Sequence, residues 1–168
     1  STSKRAPKQL GAWPSTRTSE ILLVAEAGVF VVEPADDGAL RVVRVAESNG
    51  KASTVAKLPA GREIGALAVS ADTLYFTSGA PGETAHELWR VPLAGGEPTK
   101  VLTSQGGVGD VVASDNDVVL ANRPGTAWEV DSLPGGDVAQ ITIVASDVGR
   151  QPRVRAAASR VAWSTSEG

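Results

Sequence analysis

The chain has 168 residues, 42% hydrophobic and 21% charged, a balance that suits an ordinary globular protein with a sizeable core and argues against disorder. Its formal net charge of −3 gives no long-range attraction for nucleic acid or anionic lipid, and the absence of Cys excludes disulfides, thiol catalysis and thiolate metal sites. No run approaches the roughly 18 apolar residues of a membrane-crossing helix, so no membrane insertion is expected.

Residues 1–18 carry Lys4, Arg5, Lys8 and Arg17 ahead of the first acid, Glu20, among Ser, Thr and Pro without apolar periodicity. They read as a flexible basic linker. The first residue is Ser, so the expectation is a processed, excised or trimmed chain, which leaves room for a removed signal peptide.

From residue 19 onward a unit of about 44 residues recurs three and a half times. Its opening half is Leu22–Val32, then Leu67–Thr77, Val111–Ala121 and Arg153–Ser164; its second half is Val43–Gly50, Trp89–Gly96 and Trp128–Gly136. The units are assigned to residues 19–61, 62–108 and 109–149, with a half-unit at 150–168. In the clearest copy, alternation predicts a strand through Ile64–Val69, a tight turn at Asp72–Thr73 and a second strand at Leu74–Ser78. A Gly/Pro loop over 79–85 leads to a third strand at Glu87–Val91, and Gly95–Gly96 turns the chain into a fourth at Thr99–Thr103.

Four short antiparallel strands per unit describe an all-β fold, a β-propeller segment of four-stranded antiparallel blades in an incomplete ring. Trp89, Trp128 and Trp163 are expected to pack between blades rather than to form a stacking platform for ligands. Three and a half blades leave raw sheet edges. The expected partner is therefore a second polypeptide or a second copy completing the propeller; a second fragment of the same precursor, or further blades of a longer molecule, is preferred to a second copy.

The segment Leu74–Ser78 followed by Glu87–Pro98 resembles the repeats of TolB-type propellers and related bacterial extracytoplasmic repeat proteins. The likeness covers residues 62–105 well and the other units loosely. It implies a propeller fold and an extracytoplasmic place (periplasm, cell surface or secreted), but not an activity.

Chemistry-bearing constellations are sparse. His86 is the single histidine, which excludes a His-based metal cage, and the Gly-x-Ser-x-Gly elbow of a serine hydrolase is absent. Asp36–Gly38 and Asp115–Asp117 concentrate oxygen ligands in turns but lack a complete calcium loop, and they read as turn acids. Gly106–Gly109 lacks the Lys-Ser/Thr of a phosphate loop and reads as a crossing between blades. Glu63 and Asp110, at the starts of successive inner strands, are the candidate carboxylate pair for an enzyme.

No cofactor and no metal site is expected, and no catalytic residue is assigned. The candidate binding residues are Arg62, Glu63, His86, Arg123 and Arg150, all on inter-blade crossings or second-to-third strand loops. The functional expectation is a non-catalytic scaffold for protein or ligand binding. The alternative is a fragment of a propeller hydrolase or lyase whose remaining catalytic residues lie in blades beyond this chain.

Overall fold

The structure is a computed structural model that describes residues 21–114, 117–157 and 160–165. The basic segment 1–18 and the Asp115–Asn116 pair lie outside the described residues. The first antiparallel sheet takes β1 (Leu22–Ala25), β2 (Gly28–Pro34), β3 (Leu40–Val45) and β4 (Ala52–Lys57) in sequence order. The second takes β5 (Glu63–Ser70), β6 (Thr73–Gly79), β7 (Glu87–Pro92) and β8 (Thr99–Thr103), and the third β9 (Val108–Ser114), β10 (Asp117–Asn122), β11 (Glu129–Pro134) and β12 (Thr142–Ala145). A hairpin of β13 (Arg153–Ala157) and β14 (Arg160–Ser164) follows. The fold is thus all-β; a single 3-10 turn, Val138–Gln140, interrupts the strands among the described residues.

Strand alternation explains how these sheets stack. In β6, Leu74 and Phe76 point to the first sheet, where they join Phe30, Val32, Val42 and Leu67 in one core, while Tyr75 points the other way to meet Leu120 and Leu133 of the third sheet. A third core joins Val119, Val130 and Trp128 to Val154 of the hairpin. Each central sheet therefore buries both faces, one on the sheet before it and one on the sheet after. The first strands stand side by side, β5 against β9 and β9 against β13.

The repeat is visible in its irregularities as well. Between Ile64 and Leu67, β5 holds one residue more than its partner β6, and β9 does the same between Val108 and Val111. The fourth strands bulge at Val55, Val101 and Val144, where the partners step from Val42 to Val43, Leu88 to Trp89 and Val130 to Asp131. These registers make Val43, Trp89 and Asp131 equivalent. The sequence alignment of Trp128 with Trp89 is therefore corrected: Trp128 lies three positions earlier, ahead of β11, and packs on the opposite side of its sheet. The Gly-Gly pairs misled the alignment because the β7–β8 and β11–β12 connections differ in length.

Gly136 shows why that second connection needs glycine. It has φ +68°, and a Cβ there would run into the Tyr75 hydroxyl of the preceding sheet. Gly136→Ala is expected to lose about 2 kcal/mol in chemical denaturation. Removing the obstructing hydroxyl with Tyr75→Phe in the same chain should restore part of that loss. Equal costs in both backgrounds would show that the contact is not responsible.

Candidate functional site

In each sheet, the connection between second and third strands and the crossing to the next sheet lie at the same end, because the strands alternate in direction. The five sequence-predicted residues all fall there, but they do not converge. Arg62, on the crossing from β4, donates from Nε to Ser78 Oγ at 3.3 Å and pairs through its guanidinium with Glu87. Glu63 is exposed and accepts from the Gly82 backbone N–H at 3.3 Å. His86, expected on a loop as a candidate binding residue, is half-buried, with Nδ1 3.1 Å from the Ser104 carbonyl. Arg123 donates from Nε to the Thr126 carbonyl at 3.1 Å and lies 5.9 Å from the centre of the Trp128 ring. Arg150 is exposed.

Of these five, only Arg62 lines a cleft of about 430 Å³ between the first and second sheets. Phe76 and Trp89 supply its apolar wall, Pro59 and Pro98 its lip, and Lys57 its second cation. Lys57 is paired with Asp37 at 2.7 Å, and Asp37 also accepts from the Ala39 N–H, so Asp37 serves as a turn acid. A second, polar cavity of about 250 Å³ lies beside the first strands and is lined by Thr77, Glu83, Asp110, Gln151 and Arg153. Asp110 is engaged there, accepting from the Val154 N–H at 3.1 Å and from Arg155 at 2.9 Å. Among the described residues, no three His, Asp or Glu side chains converge as a metal cage.

Sequence reasoning missed Glu87, the residue that organises the cleft. Alternation along Glu87-Leu-Trp89 puts carboxylate and indole on one face, and that signal was present in the strand pattern. Trp89 Nε1–H donates to Glu87 Oε2 at 3.0 Å, Lys100 Nζ reaches Oε1 at 3.2 Å, and Arg62 completes the set. Lys100 also stands 5.8 Å from the centre of the Trp89 ring. Burial acts to raise the Glu87 pKa, but the bonds from Trp89, Lys100 and Arg62 outweigh it and hold the carboxyl below its ordinary value.

No protein-family model matches the chain, and no curated protein does. Among solved structures, the crystal structure of the computationally designed Ika8 protein is similar at a TM-score of 0.43 and 15% identity over 83% of this chain. The chain spans about half of that protein, 53% of its length.

A carboxyl held low in the fold stabilises it above the unfolded value, near 4.5, and that contribution is lost as pH falls through the folded value. Glu87→Gln is expected to cost about 1–3 kcal/mol at neutral pH. The variant should also show a flatter loss of stability than the parent below about pH 4.5, followed by urea melts across the acid range. Parallel stability curves for parent and variant would show that Glu87 carries no such linkage.

Proposed function

We propose that the chain is a run of consecutive β-propeller blades, part of a larger or cleaved propeller, acting as a non-catalytic scaffold for protein or ligand binding, with its last hairpin completed by further strands. The observation that carries this reading is the serial stacking itself: each central sheet is covered on both faces by its sequence neighbours, with first strands side by side. The TolB-type resemblance of residues 62–105, and the bacterial extracytoplasmic place it implies, belong to the same reading and rest on the sequence repeat. The cleft beside Trp89 and Arg62 is its binding surface, since it joins an indole face to paired charges at the loop end. A non-catalytic role is supported by Glu63, His86 and Asp110, each of which has one polar atom bonded to a backbone group, with Asp110 also paired to Arg155.

Completion by further strands is supported by Trp163. Register makes it the equivalent of Phe76 and Leu120, each 0% exposed beneath a third strand, whereas Trp163 is 41% exposed. Among the described residues β14 pairs only with β13. A third strand beside β14 would cover the indole and satisfy the strand's outer backbone groups.

A synthetic peptide with the sequence of Glu87–Gly96, the chain's own third-strand segment, tests this. Its addition should slow hydrogen exchange over Arg160–Ser164 and shift Trp163 fluorescence to the blue, with Trp163→Phe retaining the exchange protection and Trp163→Asp abolishing it. If β14 gains no protection at peptide concentrations up to about 1 mM, a range that covers weak strand addition, the completion reading is wrong.

A further inference from the structure

One rung of the repeat changes its charge from sheet to sheet. In the first sheet Glu33 faces Arg41 across β2 and β3, and the two form an ion pair with Arg41 Nε 2.7 Å from Glu33 Oε1. In the second sheet the equivalent pair is Ser78 and Glu87, and Arg62 and Lys100 neutralise the acid. In the third it is Asn122 and Glu129, with Asp131 on the same face in the place of Trp89. Register puts Gly106 where the second sheet has Arg62, and Ile143 where it has Lys100. The third sheet has kept the acid, added another and lost both cations.

The geometry around these acids is that of a site short of a positive partner. Asp131 is 1% exposed and Asn122 7%. Asn122 Nδ2 donates to Asp131 Oδ2 at 2.7 Å, which leaves Oδ1 of each side chain buried without a hydrogen-bond partner. Ser104 Oγ is buried and without a partner as well. The backbone bonds from Gly106 N to Arg123 O at 2.8 Å and from Arg123 N to Gly107 O at 2.9 Å bring its segment to this end of β10.

Among the described residues neither Glu129 nor Asp131 has an ion-pair partner. Arg123, the cation next to Asn122, is turned to the Thr126 carbonyl and the Trp128 ring.

We propose that Asn122, Glu129 and Asp131 hold a hard divalent cation of the calcium class. Two carboxylates and an amide oxygen, with no nitrogen or sulfur donor, suit calcium or magnesium better than zinc. Ser104 Oγ adds a hydroxyl oxygen at the same end, and no third acidic side chain joins the set, so water fills the remaining positions. A buried water alone would satisfy the free acceptors but leave the negative charge uncompensated.

The test is a calcium titration of chelator-treated protein at constant ionic strength, read by thermal unfolding and by terbium luminescence sensitised by the protein's Trp residues. Calcium should raise the melting temperature progressively through the millimolar range, and terbium should compete with it. Asp131→Asn, which keeps the shape and the bond to Asn122, should weaken the calcium response at least about tenfold. Glu129→Gln serves in the same way if that variant folds poorly, and Glu63→Gln, an acid on the preceding crossing, should respond like the parent. The site is disproved if neither calcium nor magnesium shifts the parent's melting temperature at about 10 mM, or if Asp131→Asn and Glu129→Gln respond as strongly as the parent.

Discussion

The constraint on which this structure depends is that a four-stranded meander rich in Val, Leu and Ala has two apolar faces and cannot cover either alone. Phe76 and Tyr75 are adjacent in sequence yet belong to different cores, because alternation sends them to opposite neighbours. Removing one sheet from the series would expose a face of each sheet beside it, so cohesion is a property of the interfaces as much as of the units. Repeat proteins generally behave this way, with stability set by nearest-neighbour contacts.

That constraint explains how far the sequence was legible. Short apolar runs in Leu74–Ser78 and Glu87–Val91, with glycine and proline between, carry the strands of the second sheet directly, and the structure places four strands there. The turn between the first two is Ala71–Asp72, with Ala71 at φ +49°, one residue earlier than the sequence suggested. Register was less legible. The bulges at Val55, Val101 and Val144 have no distinct residue signature, since valine is also the commonest choice for an unbroken strand. Without them, Trp128 slides onto Trp89 by residue identity, although the two rings belong to different interfaces.

The candidate site was less legible for a related reason. Reasoning from loops selects exposed charges such as Glu63 and Arg150, since loops carry function on many scaffolds. In this chain the residues that shape the cleft, Glu87 and Trp89, lie within a strand and are positioned by its register with β6 and β8. Arg62 joins them because its crossing passes over the end of that strand. A charged residue at the start of a strand, two positions from an indole, is a stronger pointer than a charge in a glycine-rich loop.

The equivalence of Val43, Trp89 and Asp131 gives that point a physical basis. Backbone geometry at this position is held constant by the bulge opposite it, while the side chain answers to whatever the neighbouring sheet presents. A valine there leaves an apolar surface. A tryptophan both walls a cleft and donates its N–H to a carboxylate, and an aspartate brings a buried charge that its own sheet satisfies only through Asn122. Charge of this kind is costly in an apolar interface and persists where something compensates it. Successive interfaces of one repeated scaffold can thus differ in chemistry while the strands, registers and bulges that build them stay the same.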